Sequence, residues 1–154
     1  MCSSDLAEEV ESEEGYRGIM AAQHADPEQT GADAIAAAAH QIADTLDLSA
    51  IVCWTGSGST GLRVARERPQ AAIVALSPNV ATGRKLSVAW GIHCVVAEDA
   101  HDQDDMVERA CRIAFQDGFA KAGRRVIIVA GLPLGTPGAT NMLRIAFVGN
   151  DEGD

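Results

Sequence analysis

Short apolar runs alternate with longer amphipathic segments along most of this chain. Asp33 to Leu46 carries Ala34, Ile35, Ala38, Ile42 and Leu46 at spacings of three and four, the period of an amphipathic helix. The run Ala36–Ala39 inside it gives high helix propensity and a small face for close packing. Asp47-Leu48-Ser49 ends that segment, and the apolar run Ala50–Trp54, with β-branched Ile51 and Val52, reads as a strand. Leu62 to Arg68 reads as a short helix closed by Pro69, which cannot continue one. Ala71–Leu76 is a second strand, followed by the turn Ser77-Pro78-Asn79 and a helix from Val80 to Trp90 that Gly91 breaks. Ile92–Ala97 is a third strand. Asp99–Asp105 is an acidic entry to a helix reaching about Ala122, where first-turn carboxylates complement the helix dipole. Val126–Ala130 is five apolar residues in a row, as in strands covered on both faces. Asn141–Val148 is the last strand, with apolar Met142, Leu143, Ile145 and Phe147.

The flanks read differently. Residues 1–14 are polar and acidic and are expected to be mobile or the cut start of a longer protein, since nothing before Gly15 packs as a unit. Gly15 to Thr30 is expected to be a connection with turn chemistry at Asp26-Pro27-Glu28. Residues 15–149 then form one domain, and 150–154 an acidic, mobile tail. The order αβαβαβαββ with short links predicts an α/β fold. It is a three-layer, doubly wound, mostly parallel five-stranded sheet, with crossover helices on both faces. The last two strands are joined without a helix, so the final one is an antiparallel edge strand.

Ligands of such sheets sit beyond the C-terminal ends of the strands. Two glycine-rich stretches open on that rim, Thr55-Gly-Ser-Gly-Ser-Thr60 and Gly131-Leu-Pro-Leu-Gly-Thr-Pro-Gly138. A strand, a tight glycine turn and a helix start aim several backbone N–H groups at one spot, which suits a phosphate. Gly56 to Gly61 also fits the dinucleotide pattern G-x-G-x-x-G. The strand that should end in a ribose-binding acid ends instead in Ala75-Leu76-Ser77-Pro78, so NAD is disfavoured. Gly61 is followed by Leu62-Arg63 rather than Lys-Ser or Lys-Thr, so a Walker loop is excluded. Ser57 to Gly61 falls one residue short of a nucleophile elbow, and no base lies nearby.

Composition narrows the partners. A net charge of −10 argues against general nucleic-acid binding. Residues 50–90 nevertheless hold Arg63, Arg66, Arg68, Arg84 and Lys85 against Glu67 alone, a local basic surface that favours a small anion. Arg63 and Glu67 are spaced to pair on one helix face. Cys2, Cys53, Cys94 and Cys111 form no C-x-x-C pair and read as reduced thiols, in keeping with a cytoplasmic protein. The histidines lack metal-ligand spacing, and no apolar run reaches the ~18–20 residues of a membrane span. Neither a metal site nor a catalytic residue is expected here. Trp54 reads as a core cap, Trp90-Gly91 as a packed helix stop, and Asn141 as a residue fixing the loop before the last strand.

These residues also carry a resemblance. Ala32-Asp-Ala-Ile-Ala36, the turn Thr55–Thr60 with Arg63-Val-Ala-Arg-Glu-Arg-Pro69, and Ala75-Leu-Ser-Pro-Asn79 with Arg84-Lys-Leu86 are its first carriers. Trp90-Gly91 and Gly131 to Arg144 complete the set. Together they resemble the C-terminal domain of pyruvate kinase from about Gly15 to Val148, while residues 1–7 do not match. The resemblance implies a domain that binds a phosphorylated allosteric effector and contributes an oligomer interface of a homotetramer. It implies that catalysis, with its magnesium and potassium, belongs to a β/α barrel whose motifs are absent from this chain, so the chain alone should be inactive. It assigns the effector to Thr55, Gly56, Ser57, Gly58, Ser59 and Thr60, with Gly135, Thr136, Pro137 and Gly138 from the second loop. Asp102, Asp104 and Asp105 stand near where some family members place an arginine for a second phosphate, which favours a sugar monophosphate or AMP over a bisphosphate. Three alternatives remain: the same domain as an interface without effector, a free-standing phosphate-binding protein, and a free-standing enzyme. The last lacks any credible acid–base pair.

Overall fold

The computed structural model describes residues 3–23, 26–136 and 140–149. Among them, six helices and five strands follow the order α1 Ser3–Ser12, α2 Glu14–Ala22, α3 Gly31–Leu46, β1 Ala50–Trp54, α4 Ser59–Arg66, β2 Ala72–Ser77, α5 Val80–Leu86, β3 Ile92–Val96, α6 Gln103–Gln116, β4 Arg125–Gly131 and β5 Thr140–Phe147. The sheet order is β3-β2-β1-β4-β5. β1 pairs in parallel with β2 and β4, β2 with β3, and only β4 with β5 is antiparallel. The α/β fold with an antiparallel edge is therefore as the chain pattern predicts.

The all-apolar strands lie where both faces are covered. All five residues of β1 are buried. One face carries Ile51, Cys53, Ile73, Ile127 and Val129 against Ala36, Ala39 and Ala43 of α3 and Val64 and Ala65 of α4. The alanine spacing lets the α3 backbone approach the sheet closely. The other face carries Val52, Trp54, Val74, Leu76, Val126 and Ile128 against Met106, Ala110, Cys111 and Ala114 of α6. Leu86 of α5 lies against Gly58 and Gly61 at the start of α4, where an added Cβ would come 3.2 and 3.8 Å from it. Burial pushes the Cys53 thiol up to about 12, consistent with an inert reduced side chain.

Several boundaries differ from the pattern. The connection expected over Gly15–Thr30 contains α2, and α1 precedes it. Gly15, Gly18 and the Asp-Pro turn mask an amphipathic signal in which Tyr16 and Met20, four residues apart, are half-buried. Glu11 of α1 accepts a hydrogen bond from Trp90 Nε1 at 3.0 Å, and the Arg68 guanidinium lies 4.3 Å from the Trp90 ring centre. Trp90 is thus a packed stop with partners on both sides. α4 begins at Ser59 rather than Leu62, because Gly58 at φ +92° is its N-cap. α6 begins at Gln103, because the Asp102 carboxylate accepts the Asp105 N–H at 2.8 Å. α5 and α6 end earlier than expected, at Leu86 and Gln116.

The helix pair α3–α4 is fastened by a buried carboxylate. Asp33 is 2 % exposed. It accepts from Thr30 Oγ1 at 2.5 Å, from Arg66 at short range, and pairs with Arg63 at 3.3 Å. Arg63 therefore pairs with Asp33, while Glu67, which is buried as well, lies 4.0 Å from His40. The Thr30 hydroxyl foremost, then Arg66 and Arg63, hold the Asp33 carboxyl below its ordinary 3.8. A depressed carboxyl contributes stability that is present above the ordinary value and lost as pH falls through the folded one. Asp33→Asn is therefore expected to lower the melting temperature most at pH 7. The gap from wild type should shrink as the buffer is taken below about pH 4, and an equal gap at pH 7 and pH 3 in circular-dichroism melts would contradict this.

Candidate functional site at the strand rim

β2 and β3 lie on one side of β1 and β4 and β5 on the other, so the chain reverses its direction of travel across the sheet between β1 and β4. A pocket of about 310 Å³ opens at that switch, beyond the C-terminal ends of the strands. Its walls are the β1–α4 turn, Asn79 and Thr82 from α5 and its cap, Asp99 after β3, Leu134 to Thr136 after β4, and Thr140 of β5. Both glycine-rich stretches meet there, as the topology predicts.

The turn is built by its own side chains. The Gly58 N–H donates to Thr55 Oγ1 at 2.8 Å. Thr82 Oγ1 donates to the Gly56 carbonyl at 2.7 Å, tying the turn to α5. Thr60 Oγ1 shares a 2.7 Å hydrogen bond with Thr140 Oγ1, tying the start of α4 to β5. Gly58 admits no side chain: its φ is positive, and an added Cβ would press on Leu86 and Thr82 at 3.2 and 3.4 Å.

This construction divides the candidate residues. Thr55 and Thr60 are buried and their hydroxyls are engaged in holding the turn, so they shape the site more than they face it. Ser57 and Ser59 present their hydroxyls outward, 3.1 Å from each other. Ser59 and Thr60 form the first turn of α4, whose N-cap Gly58 has no side chain to offer, and the Ser59 N–H makes only a long 3.4 Å hydrogen bond to Ser57 Oγ. Its neighbours differ: Thr30 caps α3, Asn79 caps α5 and Asp102 caps α6. Two helix starts line the pocket: that of α5 is capped by Asn79, and that of α4 has no cap from its own N-cap residue. Uncapped N–H groups at a helix start carry partial positive charge and attract anions. Gly56, Gly135 and Thr136 line the pocket, while Pro137 and Gly138 lie outside the described residues.

The basic cluster expected beside the turn is elsewhere. Arg63 and Arg66 serve Asp33, and Arg68 covers Trp90. Arg84 and Lys85 sit in the last turn of α5, the end away from the rim. No Lys or Arg is among the described lining residues, and Asp99 is the one acidic residue among them. Asp102, Asp104 and Asp105 do not reach the pocket either. Asp102 caps α6, Asp105 holds Arg109 at 2.8 Å, and Asp104 lies 3.7 Å from Arg144. The Arg109 hydrogen bond, first, holds the Asp105 carboxyl below its ordinary range.

Sequence reasoning missed Asn79, Thr82, Asp99 and Thr140. The rule that placed the first turn at the rim applies equally to the residues after β2 and β3. Asn141 does what was expected of it. Its side chain accepts from the Leu132 N–H at 2.8 Å and donates to the Leu132 carbonyl at 2.7 Å, standing in for a strand partner at the loop. Trp54 is a core residue, 3 % exposed, and it also lines the pocket. Its Nε1–H has no acceptor, alone among buried side-chain polar atoms of the described residues. Leaving such a donor unpaired costs about 1–3 kcal/mol.

Comparison with known proteins agrees with this architecture. A family model described as pyruvate kinase, alpha/beta domain, matches residues 33–146. A pyruvate kinase of Methylorubrum extorquens is 56% identical over 143 residues, 93% of this chain and 30% of the relative. One from Agrobacterium vitis is 34% identical over 95% of this chain and 31% of its own length. One from Geobacillus stearothermophilus is 35% identical over 86% of this chain and 23% of its own length. The chain thus spans under a third of the curated relatives it matches. With a parallel sheet, a rim pocket at its switch point and a family match over most of its length, the chain belongs to the pyruvate kinase family and constitutes its C-terminal alpha/beta domain.

Proposed function

We propose that this chain is the regulatory and oligomerising domain of a pyruvate kinase, and that the rim pocket takes a phosphorylated small-molecule effector. The observation that carries the reading is the uncapped start of α4 facing a pocket lined by Ser57 and Ser59. A phosphate there would accept from the first backbone N–H groups of α4 and from the two serine hydroxyls. Phosphoryl transfer from phosphoenolpyruvate to ADP, with magnesium and potassium, would take place on a separate barrel, and this domain would act on it through packing. With Asp99 on the wall and no cation among the described lining residues, a monophosphate such as a sugar monophosphate or AMP suits the pocket better than a bisphosphate.

The oligomer reading is supported at the sheet edge. β5 is a terminal strand with one unpaired side. Ile145 and Phe147, 42 % and 70 % exposed, stand on it beside Leu143, which packs against the α3 face. An apolar edge of this kind suits a second copy of the chain. Sedimentation velocity at tens of micromolar is expected to show a dimer that Phe147→Asp converts to monomer, and a monomeric wild type would contradict the reading.

Thermal melts against AMP, ribose 5-phosphate, glucose 6-phosphate, fructose 1,6-bisphosphate and NAD test the effector site. A monophosphate at ~100 times its dissociation constant should stabilise the native state by about 2.7 kcal/mol. Ser57→Asp is exposed and should fold normally while abolishing that shift, because its carboxylate takes the place of the anion. A flat panel would favour an interface domain without effector. A bisphosphate binding at least as tightly would overturn the monophosphate preference.

A further inference from the structure

We propose that the α1–α2 hairpin is a strap latched at Trp90, which opens as one unit while the sheet stays folded. Glu11, Trp90 and Arg68 form the latch. The Trp90 indole N–H donates to Glu11 Oε1 at 3.0 Å, and the Arg68 guanidinium lies 4.3 Å from the centre of the same ring. One side chain thus joins the hairpin to the end of α4.

Among the described residues, the hairpin has little else to hold it. No residue of α2 is buried. Of residues 4–12 in α1, Glu11 alone is half-buried and the others are exposed. Tyr16 and Met20 of α2 are half-buried, and they roof a cleft of about 590 Å³ rather than fill it. His40, Glu67 and Pro69 line the body side of that cleft. Opening the strap uncovers the cleft and costs little buried apolar surface. Segments of this kind open locally well below the free energy of global unfolding.

The backbone at Arg68 shows that the latch is a built feature. Glu67 is the C-cap of α4, so Arg68 takes the position after it, at φ +52°. Glycine is the usual residue there, because a Cβ is strained at positive φ. Pro69 adds to the cost, since a residue before proline favours extended backbone. Such strain persists where surrounding contacts hold it, and here the contact is the Trp90 ring, a favourable partner for a guanidinium.

Hydrogen–deuterium exchange of the full chain, read over residues 4–22 and over β1 and β4, tests the strap. The wild-type hairpin should be protected, but should exchange far faster than the strands. Glu11→Ala and Arg68→Gly should each speed hairpin exchange roughly tenfold and leave β1 and β4 unchanged. Arg68→Gly should do so without lowering the melting temperature, because it relieves the backbone strain. Glu11→Gln, which keeps an acceptor for the indole N–H, should exchange like wild type. An unchanged hairpin in either disruptive variant would overturn the strap. So would hairpin and strand amides accelerating together, or a wild-type hairpin with no protection.

Discussion

The hydrogen bond from the Gly58 N–H to Thr55 Oγ1, 2.8 Å long, is the contact on which the rim depends. It closes the turn directly after β1, and the positive φ of Gly58 then swings the chain into α4 within one residue. Because the N-cap is a glycine, it has no side chain to cap the helix, and the Ser59 N–H has only a long 3.4 Å hydrogen bond to Ser57 Oγ. The first N–H groups of α4 are left facing the pocket. Thr82 and Thr60 fix the same turn from two other elements, through Gly56 and Thr140. Three threonines thus hold a backbone shape, and two serines are left to meet a ligand.

The charges of this region do structural work at the opposite end of the helices. Asp33 gathers Arg63 and Arg66 where α3 and α4 cross, and Arg68 stacks on Trp90. That fastening sets the direction of α4 and so the aim of its first turn. It also leaves the pocket without a cation among its described walls, so anion binding rests on backbone dipoles and hydroxyls. A helix terminus contributes about 0.3–1 kcal/mol toward an exposed charge and up to ~2 when partly buried. Affinity of useful strength then needs the rest of the ligand to contribute.

What was legible in the chain follows from which forces are local. β1 reads correctly to the residue, because five apolar positions between Ser49 and Thr55 leave no other choice. Sheet topology and the rim position follow from the alternation of elements, and Asn141 from the turn chemistry around it. α1 and α2 were hidden, since the Glu11 of α1 that meets Trp90 lies 79 residues from it and the glycines of α2 read as a link. The pairing of Arg63 was misread for the same reason. Spacing offers Glu67, while the buried acceptor Asp33 lies a helix away. The division of the hydroxyls was also invisible. Thr60 is held by a tertiary contact to Thr140 that no local signal announces, while Thr55 closes its own turn onto Gly58 and Ser57 and Ser59 meet each other. The basic stretch looked like an anion surface because composition carries no direction, and the helices turn those side chains away from the rim.

The central claim is that an anion sits on the uncapped start of α4. Two-dimensional amide NMR of the chain, titrated with glucose 6-phosphate, tests it most directly. The account predicts that the amides of Ser59, Thr60 and Gly61 shift first and furthest. Shifts confined to Arg84 and Lys85, or to the Arg68–Trp90 surface, would contradict it.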